Sequence, residues 1–301
     1  MTLKFDETRV NQANAAGAPA ARVPSRSERP PRLPYFDVLL SLLERGDGRV
    51  EAAFGRHVHW GYWPDPGRAT GDAADYAAAA ERLSLEVCAT ANIADGQTVL
   101  DVGCGFGGTI ASLNDRFRGM RLVGINIEER QLARAKARVT ARSGNLVTFV
   151  GGSASNLPFP DGSCDAVVAV ESIFHFPDRA QFFREAHRTL KPGGRLTLSD
   201  YVPPGWMQPA LWLKLPSLYF GDFDVRYSLR RYRRLAEQVG FRPVAERDIN
   251  ANTLPTFEFL ETLKPLVADY SRSVVIETRA LRWLSRLRLL CYSILAFEKS
   301  R

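Results

Sequence analysis

The chain has 301 residues, of which 45% are hydrophobic and 24% charged, with a formal net charge of +7. Those proportions belong to a globular protein and exclude a collagen-like, wholly disordered or disulfide-dense chain. No apolar run approaches the ~18 residues a membrane-spanning helix needs, so no stable membrane insertion is expected. The start, MTLKFDETRV, lacks the apolar core of a secretory signal. Cys88, Cys104, Cys164 and Cys291 show no CxxC spacing. They predict neither a zinc site nor a disulfide framework, and a cytoplasmic setting. The positive charge gathers in RVPSRSERPPR, around Arg230 to Arg234, and in RALRWLSRLRLL. With no nucleic-acid recognition module beside them, these clusters read as solvated basic faces rather than a nucleic-acid footprint.

In chain order, residues 1–34 are rich in Ala, Arg, Pro and Ser and predict a disordered arm, because they bury too little apolar surface to offset ordering entropy. Residues 35–97 predict a helical cap. Phe36, Val38, Leu39, Leu42 and Leu43 fall at helical spacing, the run FGRHVHWGYWPDPG follows, and an Ala-rich helix spans Asp72 to about Ala91. From Thr98 the pattern alternates. TVLDVG, RLVGIN, NLVTFVGG, DAVVAVES and RLTLSDYV read as strands, with helices such as EERQLARAKARVTAR and DRAQFFREAHRTL between them. Asp178 is placed to cap the second of these helices, and Pro192, Gly193 and Gly194 to end it. Apolar strands without strict alternation predict a parallel sheet covered on both faces. An aromatic and proline-rich insertion, about 203–228, follows the fifth strand and predicts a lid. A helix, a strand, a basic amphipathic helix and the strand CYSILAFEK complete residues 98–301.

The sharpest motif is VLDVGCGFGGT, Val99 to Thr109. Glycines directly after a strand let the backbone turn tightly and lie against a ligand. Asp101, just before them, suits a cationic group better than a pyrophosphate, and the spacing is not GxGxxG. The motif resembles the first motif of the class I S-adenosylmethionine (SAM)-dependent methyltransferases. RLVGINIEERQLARAK, GGSASNLPFPDGSCDAVVAVESIFHF and REAHRTLKPGGRLTLSDYV resemble later segments of the same family. HWGYW resembles the segment that closes over the donor in its small-molecule members of the sterol, sugar and polyketide types. The resemblance implies an α/β, Rossmann-like, doubly wound domain with a mostly parallel seven-stranded sheet, and SAM as cofactor.

Carried over by position, the resemblance implies that Asp101, Gly103 and Gly105 hold the amino-acid end of the donor. Asn126 stands where the family has an acidic residue on the ribose, and Gln131 is a second ribose candidate. Ser153 and the Ala154 N–H fall near the adenine, and Ile127, Val170 and Tyr62 complete the donor contacts. Glu171 ends a buried strand, where a carboxylate is costly without a partner or a task. His175, four residues on, is a candidate base because an imidazole titrates near neutrality. These two are the candidate catalytic residues.

Trp60, Trp63, Phe174, Trp206, Trp212, Tyr219 and Phe220 are the candidate substrate residues. Their aromatic faces suit an apolar acceptor or a cation formed during C-methylation. His57 and His59 lack the carboxylate cluster of a metal site, and no metal is expected beyond Mg²⁺ should the acceptor be a diphosphate. The expected activity is transfer of a methyl group to carbon or oxygen of a small, largely apolar natural product or isoprenoid. Nucleic-acid modification and non-catalytic SAM binding are the alternatives, and a homo-oligomer is compatible with the sequence.

Overall fold

Pro34 opens helix α1 (Pro34–Glu44), where its missing N–H has no helical partner to lose and its ring presets φ. The computed structural model describes residues 33–207, 223–267 and 272–300. Of the predicted arm, residues 1–34, all but Leu33 and Pro34 lie outside the described residues. Two further cap helices follow, α2 (Gly48–Phe54) and α3 (Ala73–Ala89), each started by an aspartate whose side chain accepts backbone N–H groups, Asp47 and Asp72. The sheet domain then runs β1 (Thr98–Val102), α4 (Gly108–Arg116), β2 (Arg121–Asn126), α5 (Glu129–Arg138), β3 (Leu146–Gly151), β4 (Cys164–Ala169), α6 (Arg179–Thr189) and β5 (Leu190–Val202). Helix α7 (Leu229–Val239) and β6 (Phe241–Asp248) come next, then α8 (Asn250–Thr253), α9 (Pro255–Thr262), α10 (Lys264–Val267), α11 (Arg272–Arg286) and β7 (Cys291–Lys299).

The seven strands form one sheet in the order β3-β2-β1-β4-β5-β7-β6. Pairings from β3 across to β5 are parallel, whereas β7 runs antiparallel to both β5 and β6. Leu100, Val102, Val167 and Ala169 are fully enclosed, as central strands with helices on both faces require. The chain steps outward from β1 to β2 and β3, then returns to place β4 on the other side of β1. That reversal opens a crevice at the carboxyl ends of β1 and β4, where open α/β sheets take their ligands.

Three local expectations are corrected. The turn LKPGG does not separate helix from strand. It is absorbed into β5, whose register against β4 jumps from Cys164↔Leu190 to Ala166↔Arg195. The short helices α8 to α10 escaped the reading because they are too brief to show a period. The cap is also not purely N-terminal. Its core joins Leu43, Val50, Phe54 and Tyr76 to Phe259 and Leu263 of the segment after β6. Tyr76 stacks on Phe259 with ring centroids 4.2 Å apart. The loop at 61–63 is clamped to the same segment by Trp63 N–H to the Asn252 carbonyl at 2.9 Å and Gly61 N–H to Thr256 Oγ at 3.1 Å.

Of the predicted lid, Trp212, Tyr219 and Phe220 lie outside the described residues. Its returning end is fixed by Arg179, a buried guanidinium that pairs with Asp200 at 2.5 Å and lies 4.4 Å from the Tyr227 ring centroid. Arg179 also donates to the Asp224 carbonyl.

Candidate active site

The glycine turn after β1 is a left-handed run, with φ of +82° at Gly103, +54° at Gly105 and +79° at Gly107. Side chains disfavour this conformation, so glycine is required here. The N–H groups of Gly103 and Cys104 both donate to the Ile125 carbonyl, at 2.8 and 3.0 Å, which ties the turn to the end of β2. Space matters as much as φ. A Cβ on Gly105 would stand 2.9 Å from Val58, and one on Gly108 would stand 2.4 Å from His57 Nδ1.

A cavity of about 280 Å³ lies over this turn. Asp101, Gly103, Gly105, Asn126, Ile127 and Gln131 line one side of it, and Ser153, Ala154, Val170, Glu171 and His175 close the other. The structure therefore gathers eleven of the sequence-predicted residues around one space. Asp101 is 1% exposed, and its Oδ2 has no hydrogen-bond partner among the described residues. Burial pushes its carboxyl up to about 7. A buried carboxylate oxygen without a partner is costly, and an ammonium group in the cavity would satisfy it. Asn126 donates from Nδ2 to Gln131 Oε1 at 2.8 Å, so the two amides stand as a linked pair on the cavity wall. Ser153 Oγ accepts the Ser155 N–H at 3.2 Å and shapes the turn that presents Ala154. An unpartnered carboxylate oxygen, a glycine turn open to close approach and a pair of amides fit the ammonium, main body and hydroxyls of SAM.

Glu171 follows β4 with φ of +51°, unusual for a side-chain-bearing residue. Its N–H donates to Ser199 Oγ at 2.9 Å, and its carboxylate accepts the Trp60 N–H at 2.5 Å. Burial pushes its carboxyl well above the ordinary range, and the Trp60 N–H offsets this only in part. His175 ends a short turn, Ile173–His175, and its Nε2 lies 3.1 Å from Tyr35 Oη.

A second cavity, about 140 Å³, adjoins the first and shares Tyr35, Val58, His59, Glu171 and His175 with it. Its walls are mostly apolar and include Trp60, Phe174, Tyr201, Phe223, Leu39 and Leu42. Trp60 and Phe174 thus stand where a substrate residue was expected. Three other expectations fail on placement. Trp63 is 3% exposed within the cap core, its indole N–H bonded to Asp75 at 2.8 Å. Tyr62 packs at the edge of the Trp60 cluster with its N–H on the Ala79 carbonyl at 2.8 Å, outside both cavity linings. Trp206 is 71% exposed.

Sequence reasoning missed Tyr35, whose helical stretch carried no chemical signature. It also considered His57 and His59 only as a poor metal site, whereas both are buried and hydrogen-bonded. His59 Nδ1 faces the Trp60 carbonyl at 2.9 Å and so carries the proton, leaving Nε2 to accept from Ser84 Oγ at 2.8 Å. His57 Nε2 donates to Glu81 at 2.8 Å. Burial holds both imidazoles below their ordinary value, His59 down to about 3. These bonds fix the backbone of Trp60, and Trp60 in turn holds Glu171.

The Methyltransferase domain family matches residues 100–198. Methyltransferase GfsG of Streptomyces halstedii is 35% identical over 226 residues, 74% of this chain and 76% of that protein. The chain belongs to the SAM-dependent methyltransferases. The 27-O-demethylrifamycin SV methyltransferase of Amycolatopsis mediterranei is 32% identical over 216 residues, 69% of this chain and 75% of that protein. Among solved structures, the [4+2]-cyclase SpnF superposes with a TM-score of 0.70 at 24% identity, covering 90% of this chain and 98% of that one. Geranyl diphosphate methyltransferase in complex with SAM gives 0.68 at 23% identity, covering 81% and 98%. At those identities the two structures speak for the fold alone. This methyltransferase takes SAM as donor and a small molecule as acceptor.

Proposed function

We propose that this methyltransferase methylates a hydroxyl of a small, largely apolar natural product, with His175 as the base. The observation that carries the reading is the position of His175 and Glu171 at the junction of two cavities, the first carrying Asp101, Asn126 and Gln131 and the second mostly apolar. The donor supplies a sulfonium methyl, open to in-line attack. Asp101 binds its ammonium group in the first cavity, and Trp60, Phe174 and Tyr201 hold the acceptor in the second. His175, steadied by Tyr35, accepts the hydroxyl proton as the new C–O bond forms. Glu171 is raised by burial, and its carboxylate is engaged by the Trp60 N–H, a positioning contact that leaves the base to His175. Alignment and exclusion of water supply much of the remaining acceleration.

The relatives at 31% identity include proteins named as O-methyltransferases, which supports transfer to oxygen. The competing acceptor is a prenyl diphosphate, which needs cationic partners. Among the described residues, the only lysine or arginine lining the second cavity is Lys264, and it is paired with Glu261. The apolar walls likewise speak against nucleic acid as acceptor. Among the described residues no helix is long and apolar enough to cross a membrane. The buried free thiols of Cys88, Cys104 and Cys164 support a reducing, cytoplasmic setting.

The test is S-adenosylhomocysteine release with a hydroxylated macrolide pool and with geranyl diphosphate plus Mg²⁺. Turnover on the hydroxylated pool, lost in His175→Ala and retained in Glu171→Gln, is the expected result. Turnover confined to geranyl diphosphate and abolished by Glu171→Gln would replace it with C-methylation.

A further inference from the structure

The second cavity is not uniformly apolar. Tyr201, on β5, is 1% exposed and lines it. Its ring is locked edge-on against Trp60 at 5.4 Å, Phe223 at 5.7 Å and Tyr292 at 4.9 Å between centroids. Its hydroxyl has no hydrogen-bond partner among the described residues. The neighbouring tyrosine shows the contrast, because Tyr292 Oη is matched by Ser199 Oγ at 3.1 Å. A phenol without a partner in an apolar pocket is costly to maintain for packing alone, since phenylalanine would fill the same volume without the penalty. Burial and the nearby Glu171 push the phenol well above its ordinary value, so it stays protonated and serves as a donor.

We infer that Tyr201 recognises the acceptor by donating a hydrogen bond from Oη to a second oxygen on it. The acceptor class is thereby narrowed to an apolar molecule that carries a carbonyl or further hydroxyl close to the hydroxyl that is methylated, such as a β-hydroxyketone. This rests on the O-methylation reading above, and it adds a residue that sets specificity. A lone alcohol of the same length leaves the phenol unmatched, and sites built around a polar contact discriminate strongly against partners that lack it.

The experiment measures binding in the presence of S-adenosylhomocysteine, by calorimetry, for two probes of equal length: a medium-chain β-hydroxyketone and the corresponding secondary alcohol. The wild type is expected to bind the hydroxyketone at least about tenfold more tightly, the worth of one well-placed hydrogen bond. In Tyr201→Phe the two affinities converge on that of the alcohol. The melting temperature of the free Tyr201→Phe protein is expected to equal or exceed that of wild type, because the hydroxyl it loses has no partner among the described residues. A preference that survives in Tyr201→Phe, equal affinities in the wild type, no binding of either probe, or a lowered melting temperature would each overturn the inference. Methyl ether formation, followed in parallel by mass spectrometry on the macrolide pool, reports separately on O-methylation. A failure of Tyr201 to discriminate is thus distinguishable from a failure of that reading.

Discussion

Tyr35 Oη lies 3.1 Å from His175 Nε2, so a residue of the first cap helix holds the candidate base across 140 positions of sequence. The rings also lie nearly parallel, with centroids 6.0 Å apart. A contact this remote in sequence orients the imidazole only when α1 is seated on the crevice. Replacing Tyr35 by Phe is expected to lower kcat by about tenfold with donor affinity nearly unchanged, the effect of one lost hydrogen bond. His175→Ala is expected to cost about 10²- to 10⁴-fold. Steady-state kinetics on both variants checks the ordering.

Asp101 predicts a pH-dependent donor affinity. Its carboxyl sits at about 7 in the free protein because burial disfavours the charge. A bound ammonium favours the ionised form, so the donor selects the deprotonated protein. Affinity should therefore rise as pH increases towards about 7 and level off above it, with proton release on binding at lower pH. Calorimetry in buffers of different ionisation enthalpy reads that release, and Asp101→Asn should abolish it.

Glu171 separates two chemistries. Its contact with the Trp60 N–H needs only an acceptor oxygen, and glutamine keeps a carbonyl oxygen in the same place. Glu171→Gln should keep turnover within about tenfold of wild type, since one acceptor oxygen is retained. Glu171→Ala should lose more, because Trp60 N–H is left buried and unmatched. A glutamine variant as inactive as the alanine variant would show that the carboxylate itself takes a proton.

The Glu81 cluster predicts an acid-sensitive cap. Burial alone would raise Glu81, but His57, Ser112 and Arg56 overcome it and hold the carboxyl down to about 2. Arg116 adds a further ion pair at 2.8 Å. Because the folded value lies below the ordinary 4.5, this stabilisation is present above that pH and is lost as pH falls towards 2. Glu81→Ala should cost about 1–2 kcal/mol at neutral pH, chiefly because it leaves the buried His57 N–H unmatched, while the half-exposed Arg56 and Arg116 keep water and other partners. Chemical denaturation of both proteins at pH 7 and pH 3 checks the value and its decline.

The sheet was legible because its code is local. The run from Thr98 to Val102 is a strand followed by glycine, and the positive φ at Gly103, Gly105 and Gly107 is strongly disfavoured for residues with a side chain. Asp101 and Glu171 were legible for a related reason, since a carboxylate inside an apolar strand end needs a task. Tyr35 was not, because its role depends on where a helix lands after the chain has crossed the sheet. Trp63 and Trp206 misled for the opposite reason. Aromatic composition marks apolar surface, but only tertiary placement decides whether that surface faces a core, a cavity or solvent. The hydroxyl of Tyr201 belongs with Tyr35, being meaningful only once its neighbours are known.

The shared core of the cap has a consequence for biosynthesis. Residues 34–89 leave the ribosome early, yet Phe259 and Leu263, which complete their packing, are translated on the order of ten seconds later at ordinary elongation rates. Until then Leu43, Val50, Phe54 and Tyr76 lack their closing partners, and the nascent chain carries that greasy surface in the open. Closure over the glycine turn is therefore among the last events of assembly. A growing polypeptide can pair β1 with β2 and β4 well before it can shelter a ligand.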